Sequence, residues 1–151
     1  MSKIRKYLVT ALVIAFTFSL CACGDTSPKE LTNVGEYEDC ILSLDSATTE
    51  ILDSGENVIK VTATYTNNAS DPLYAYCSFG VKAFQNDIQL DEVSDINGDE
   101  ADLIREIKNG QSISVTYVFK LSDDSEVEVL VCEPTADSTT IAKQIFLKAE
   151  E

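Results

Sequence analysis

Apolar side chains recur at every second position through most of the chain after residue 37. The clearest case is a segment in which Ile113, Val115, Tyr117, Phe119 and Leu121 alternate with mainly polar residues. Such alternation is typical of β-strands that have one buried face. The same pattern predicts further strands at residues 40–44, 59–66, 73–84, 127–131 and 140–147.

The segments between the predicted strands are rich in residues that favour turns. These segments are residues 53–57, 67–72, 108–111, 122–125 and 133–134. Only residues 101–107 suggest a helical turn. Short strands separated by turns, with no alternating helices, predict an all-β fold, an antiparallel β-sandwich of about seven strands. A small barrel is the alternative.

Three stretches carry a more specific resemblance: IKVTATYTNN, VKAFQNDIQL and IKNGQSISVTYVFKL, at residues 59–68, 81–90 and 107–121. In this order and spacing they resemble an uncharacterised family of small immunoglobulin-like (telokin-like) lipoprotein domains from Gram-positive bacteria. The resemblance covers roughly residues 37–132 and implies the immunoglobulin-like fold, but no activity and no site residues. Asp87 stands where the family pattern usually has Gly. If that turn needs a positive φ, Asp is among the residues that tolerate it.

The first residues have the features of a lipoprotein signal peptide. A basic start, MSKIRK, precedes an uncharged and mostly apolar run at residues 7–20, shorter than the ~20 residues that span a bilayer. The run ends in LCACG, which resembles the bacterial lipobox. Cys23 has Ala22 one residue and Leu20 three residues before it, as the lipobox requires. Cys21 would have Leu20 and Phe18 at these positions, which suit cleavage poorly. We therefore expect lipidation at Cys23.

These features predict three parts of the chain. Residues 1–22 are the signal peptide, residues 23–36 are the lipidated cysteine with a flexible polar tether, and residues 37–151 are the immunoglobulin-like domain. The lipid anchor makes the membrane a partner and places the domain on the extracytoplasmic face of the cell membrane.

Composition narrows the chemistry of the domain. The formal net charge is −15, and removal of residues 1–22, with their three basic and no acidic side chains, makes it −18. A domain this acidic repels nucleic acid, so we expect no nucleic-acid partner. The chain has no histidine, which excludes His-dependent triads and His-ligated metals.

Acidic residues at 91–102 suggest one cofactor, Ca²⁺, for which oxygen ligands are available. The candidate ligands are Asp95, Asn97, Asp99 and Asp102. Their spacing fits an EF-hand loop poorly, and a solvated loop is the simpler interpretation. No other cofactor is expected.

Two further groups of side chains carry open alternatives. Cys40, Cys77 and Cys132 remain in the processed chain, and Cys40 and Cys77 either form a disulfide or stay as buried thiols, which we favour. Tyr74 and Tyr76 share one face of the predicted third strand. They form either a binding face or a pair covered by another segment.

No pattern in the sequence indicates a catalytic site. We therefore expect a non-enzymatic module, anchored outside the membrane, that contacts an unidentified protein or glycan partner or serves in the envelope. The alternative is a hydrolase that uses paired carboxylates on envelope or environmental glycans. It requires two converging, partly buried carboxylates in a concave cleft.

Overall fold

The computed structural model describes residues 30–93 and 100–146. This part of the chain forms ten strands and two four-residue helical turns. The elements are β1 Val34–Tyr37, β2 Cys40–Ile51, β3 Asn57–Asn67, β4 Leu73–Tyr74, α1 Ala75–Ser78, β5 Gly80–Gln85, β6 Ile88–Gln89, α2 Glu100–Leu103, β7 Glu106–Ile107, β8 Gln111–Lys120, β9 Val127–Cys132 and β10 Thr140–Phe146.

The strands form two four-stranded sheets, in which every pairing is antiparallel. The first sheet has the order β1-β2-β3-β8 and the second has the order β10-β9-β5-β6. The short strands β4 and β7 pair as a separate ribbon. Two distinct sheets around one core confirm the predicted sandwich, and the barrel alternative is wrong.

The predicted alternation places the core side chains as expected. In β8, Val115, Tyr117 and Phe119 are buried whereas Ser112 and Ser114 are exposed. The inward faces of both sheets supply the remaining large buried side chains, among them Leu42, Leu44, Ile59, Val61, Tyr65, Val129 and Val131. Burial of apolar area on both inward faces is the main stabilising contribution to such a fold.

The edge of the first sheet beside β8 is covered by a short extended segment. Val93 donates its N–H to the carbonyl of Val118 at 2.8 Å, and Lys120 donates its N–H to Asp91 at 2.9 Å. Val118, which is not part of the core cluster, is buried as well. Burial of Tyr117, helped by the nearby charge of Glu92, raises the pKa of its phenol well above the usual range.

Two sequence predictions need correction. The single strand expected at residues 73–84 is interrupted by α1, because Tyr74 pairs with Glu106 in the ribbon whereas Gly80 pairs with Cys132 in the second sheet. The chain must turn between these two pairings. The helical turn expected at residues 101–107 is confined to α2, and Glu106–Ile107 is a strand.

The start of the sandwich also differs from the prediction. Strand β1 includes Val34, Gly35 and Glu36, which the sequence analysis assigns to the tether. Gly35 is buried, and a Cβ added there would lie 3.0 Å from Cγ1 of Ile141. Only glycine permits this close approach to β10, and the same small residue weakens the strand pattern in the sequence. The predicted signal peptide and Cys23 lie outside the described residues.

Two hairpins turn through residues with positive φ. Glu38 and Asp39 (φ 46° and 64°) join β1 to β2, and Asn86 and Asp87 (φ 50° and 64°) join β5 to β6. Two consecutive positive φ values are the requirement of the tight type I′ turn. The expectation that Asp87 tolerates a positive φ is therefore confirmed.

The two ends of the sandwich differ in their loops. One end, called here the Asn67 end, carries the 38–39 turn, the 68–72 loop and the turn at residues 108–110. The opposite end, the Gln85 end, carries the 52–56 and 86–87 turns and the 121–126 loop. Within residues 30–93 and 100–146, no helix has the length and apolarity needed to cross a membrane.

Candidate binding surface at the Asn67 end

Tyr74 and Tyr76 are brought together at the Asn67 end. Their ring centroids lie 6.1 Å apart with the planes inclined by 45°. The exposed fractions of the two residues are 39% and 56%. The sequence predicts that they share one face of a single strand, and this placement is wrong although the two rings lie near each other. Tyr74 ends β4 and Tyr76 belongs to α1, so strand alternation is not what aligns them.

A buried amide positions the ribbon that carries Tyr74. Asn67 is fully buried, and its Nδ2 donates to the carbonyls of Asp71 at 2.9 Å and Ile107 at 2.8 Å. Its Oδ1 accepts the N–H of Ala69 at 2.9 Å. Because all three bonds are buried or partly buried, they hold the 68–72 loop and β7 firmly in place. Tyr74 follows that loop directly.

A chain of hydroxyl groups supports α1 from beneath. Ser78 lies within hydrogen-bond distance of Tyr65, with 3.0 Å between Oγ and the phenol oxygen, and Oγ of Ser78 donates to the carbonyl of Tyr74 at 3.3 Å. The Tyr65 ring meets Phe79 edge to face, with centroids 6.0 Å apart. These contacts join the helical turn to the core, so the two exposed tyrosines sit on a supported base.

Ile104 is a further exposed apolar residue in the segment next to the ribbon. It lies between α2, which contacts α1, and Glu106, which pairs with Tyr74. The exposed fraction of Ile104 is 63%. Arg105 next to it pairs with Asp102, with 3.1 Å between Nη1 and Oδ1. We call Tyr74, Tyr76 and Ile104 the tyrosine patch.

The two cysteines whose side chains the structure describes, Cys40 and Cys132, are buried free thiols. The favoured prediction of a buried thiol is therefore confirmed for Cys40. Sγ of Cys40 accepts the hydroxyl of Tyr65 at 3.2 Å. The thiol therefore acts as a small core side chain that also satisfies a buried hydroxyl. The side chain of Cys77 lies outside the described part of the structure.

The predicted calcium ligands are only partly described. Asp95, Asn97 and Asp99 lie outside the described residues, and Asp102 is engaged with Arg105. Among residues 30–93 and 100–146, no group of three or more Asp, Glu, Cys or His side chains is placed to hold a metal ion. Calcium binding at residues 91–102 stays a prediction.

Carboxylates gather in one shallow depression on the outer face of the second sheet. It is lined by Phe84, Asn86, Asp87, Glu126, Glu128 and Ile145. Glu128 forms an ion pair with Lys143. A second depression beside the ribbon is lined by residues of β7 and β8, including Glu106 and Lys108.

The loops at the Gln85 end are held by both amide and charge. Nε2 of Gln85 donates to the carbonyls of Asp123 and Ser125, and its Oε1 accepts the N–H of Ser122 at 2.8 Å. The Asp123 carboxylate accepts the hydroxyl and N–H of Ser125 and the amide of Asn86, and these bonds lower its pKa. Hydrogen bonding to Lys120 lowers the pKa of Glu56.

These contacts give a structural role to the three stretches that carry the family resemblance, residues 59–68, 81–90 and 107–121. Asn67 and Gln85 are buried amides that hold loops, and Gly110 makes a turn with φ 72° while donating its N–H to Asn67. Each of the three stretches therefore contains a residue that holds or forms a loop of the sandwich. A family model described as "Domain of unknown function (DUF5067)" matches residues 25–133.

The chain belongs to the DUF5067 family. The match begins upstream of the first strand and reaches just past β9. It therefore includes Asn67, Gln85 and the tyrosine patch. No curated protein matches this DUF5067 chain.

Solved structures share the fold of this DUF5067 protein. Two are each described as a "putative lipoprotein". The Staphylococcus aureus one has a TM-score of 0.60 and 12% identity, over 76% of this chain and 88% of its own. The Bacillus subtilis one has a TM-score of 0.55 and 13% identity, over 78% of this chain and 38% of its own. A protein from Enterococcus faecalis has a TM-score of 0.55 and 16% identity, over 78% of this chain and 90% of its own.

Proposed function

We propose that this DUF5067 protein is a non-enzymatic lipoprotein, anchored by Cys23 on the extracytoplasmic face of the membrane, that binds a protein partner through the tyrosine patch. The exposed cluster of Tyr74, Tyr76 and Ile104 carries the proposal. The lipobox-like sequence around Cys23 and the descriptions of two structural neighbours support the anchor.

The chemistry of the patch favours a protein partner. Tyrosine and arginine are enriched where protein interfaces bind most strongly, and Arg105, whose side chain is 66% exposed, borders the patch. The two tyrosine rings are inclined by 45°, so they offer no common plane on which a sugar could stack. A glycan partner is therefore the second outcome of the test.

The path of the chain favours a patch that faces away from the membrane. Strand β1 runs toward the Asn67 end, so the chain reaches it from the side of the Gln85 end. Seven residue steps separate Cys23 from Glu30, about 25 Å at full extension. A lipid on Cys23 would then hold the Gln85 end closer to the membrane and leave the tyrosine patch accessible.

The anchor is tested by two cysteine variants of the full-length protein. Cys23→Ser removes the acceptor sulfur, so we expect the protein to leave the membrane fraction and to lose labelling by a fatty-acid analogue. Cys21→Ser is the matched control and should behave like the wild type. Membrane retention of Cys23→Ser with loss in Cys21→Ser would reassign the lipid.

The patch is tested by crosslinking on intact cells. A photoreactive residue in place of Tyr76 in the anchored protein should give a discrete protein adduct, which Tyr74→Ser combined with Ile104→Ser removes. The control places the same group at Ile88, an exposed apolar residue (68%) on β6, where we expect no adduct. An adduct with cell-wall glycan instead would replace the protein partner, and equal adducts at both positions would contradict a specific patch.

The hydrolase alternative stays an untested prediction. It needs two converging, partly buried carboxylates, and within the described residues carboxylates gather at the depression beside Glu128, where that side chain is engaged with Lys143. This arrangement gives the hydrolase no specific support.

A further inference from the structure

The lateral edge of β2 is only half covered. Strand β1 pairs with residues 40–43 of β2, and the Asn33 carbonyl accepts the N–H of Leu44 at 2.8 Å. The chain N-terminal to Asn33 then leaves this edge, because the carbonyl of Thr32 accepts the N–H of Lys143 in the other sheet at 2.8 Å. Within the described residues, β3 is the only strand that pairs with residues 46–51 of β2.

The backbone geometry identifies the outward-facing groups of this edge. Leu52 donates its N–H to Glu56 within the β2–β3 hairpin. Alternation along an antiparallel strand then directs the main chain of Ser46, Thr48 and Glu50 toward β3. The N–H and C=O groups of Ala47, Thr49 and Ile51 point away from β3, toward the side on which no strand of the described residues pairs with them.

The sequence of this edge has little of the usual protection. Exposed edge strands are commonly blocked by charged side chains, above all lysine, by proline or by a bulge. Residues 45–51, DSATTEI, contain neither lysine nor proline, and the register shift between Leu44 and Ser46 lies at the start of the segment. The remaining six residues can therefore accept another strand.

We propose that residues 46–51 of β2 form a docking edge for an extended basic segment of another protein, which adds as a strand to the first sheet. Main-chain hydrogen bonds would supply the affinity of such strand addition. Charge selects the partner, since Asp45 and Asp53 border the edge, and the nearby cation, Lys60, is already paired with Glu50 at 2.8 Å. A second copy of so acidic a chain fits this edge poorly.

The probe is a seven-residue capped peptide in which lysine alternates with valine, and the control peptide has glutamate in place of lysine. Binding is measured by amide hydrogen exchange on the full-length protein in zwitterionic micelles at physiological salt. We expect the basic peptide to protect the N–H groups of Ala47, Thr49 and Ile51. The N–H groups of Ser46, Thr48 and Glu50, already bonded to β3, should change little.

A proline variant tests whether the main chain makes the contact. Thr49→Pro removes an outward N–H without removing a bond to β3, so we expect the fold to persist and binding to weaken about tenfold. Thr49→Ala retains the N–H and should bind like the wild type. If Thr49→Pro fails to fold, the exchange pattern of the wild type decides alone.

Four results would overturn the proposal, three of them seen with the peptides. Those three are absence of binding by the basic peptide, equal binding by the acidic peptide, and protection spread over amides outside β2. Protection of the same amides at rising protein concentration without peptide would identify a second copy as the occupant, and would also overturn it. The Tyr76 crosslinking result is independent of all of these.

Discussion

The two ends of the sandwich solve the same problem with different chemistry. Each end fixes a loop with one buried amide, Asn67 at one end and Gln85 at the other, and each amide makes at least three hydrogen bonds. At the Asn67 end a second amide helps, since Asn109 donates to the carbonyls of Asn68 and Ala69. At the Gln85 end the helpers are charged, namely Asp123 and the Glu56–Lys120 pair.

The difference concerns what each end can present. At the Asn67 end neutral amides hold the loop and the ribbon that lead to the exposed Tyr74 and Tyr76. At the Gln85 end ionised groups hold compact turns, and the exposed apolar side chains there, Ile51, Ile88 and Ile145, stand on separate strands. A buried amide can thus hold either a loop next to exposed aromatic side chains or a compact turn. The residues that follow the amide in the sequence determine which of the two forms.

Replacement of the two buried amides should have the largest effect. Asn67→Ala and Gln85→Ala each leave buried main-chain partners unsatisfied, so we expect each to lower the free energy of unfolding by about 3 kcal/mol. Urea unfolding measures this. Only Asn67→Ala should also reduce crosslinking from Tyr76, because only that amide holds the ribbon.

Exposed amides at the same ends serve as controls for that comparison. Asn109→Ala and Gln89→Ala should each change the free energy of unfolding by less than about 1 kcal/mol. A loss of equal size in a control would mean that amide burial is not the cause. Equal loss of crosslinking in Gln85→Ala and Asn67→Ala would show that the ends are coupled.

Glycine substitutions in the two type I′ hairpins should have a smaller and opposite effect. Asp39→Gly and Asp87→Gly relieve a positive φ at each end, so each should stabilise the fold by about 0.5 kcal/mol in thermal or urea unfolding. Gly55→Ala, at φ 85°, is the reverse control and should destabilise. Unequal gains at Asp39 and Asp87 would indicate that one turn depends on its carboxylate.

Acid should loosen one end only, and this is the smallest effect. The folded-state pKa of Asp123 is lowered by its bonds to Ser125 and Asn86, so its contribution to stability is present above its usual pKa of 3.8 and is lost as the pH falls through the lowered value. The protection of the Ser125 amide, relative to its intrinsic exchange rate at each pH, should therefore fall below about pH 4, whereas that of Ala69, bonded to a neutral amide, should not.

Asp123→Asn is the matched variant for this pH dependence. It should remove the acid-dependent step in the exchange of Ser125 and leave the Asn67 end unchanged. The same acid response in Ala69 and Ser125 would contradict a difference in charge between the two ends.

The sequence predicts the elements that are set by alternation and misses those set by tertiary contacts. Strands β3, β8 and β9 follow from apolar residues at every second position, because one face of each is buried. Strand β1 is not predicted from the sequence because its buried residue is Gly35, which has no apolar side chain. The interruption of the strand at α1 is not predicted either, because the sequence of Ala75–Ser78 is compatible with a strand. Only the strand pairings on either side of α1 require a turn.

The binding surface is predictable in part. Tyr74 and Tyr76 are visible as an aromatic pair, and they do lie side by side. Ile104 is not visible as part of this surface, since the contact between α1 and α2 joins segments far apart in sequence. Asn67 and Gln85 resemble ordinary turn residues, because polar side chains give no sign of burial until their partners are known.

The N-terminal residues Thr32 and Asn33 bond to both sheets, and this has a mechanical consequence. Thr32 is bonded to β10 and Asn33 to β2, and the following strand lies antiparallel to β2. A pull on the chain before Glu30, directed toward the Gln85 end, loads the hydrogen bonds of β1 along the strand axis, so that they share the force. Strands loaded in this shear geometry resist extension better than strands peeled apart bond by bond, so β1 would carry the load in a domain anchored as proposed through the chain before Glu30.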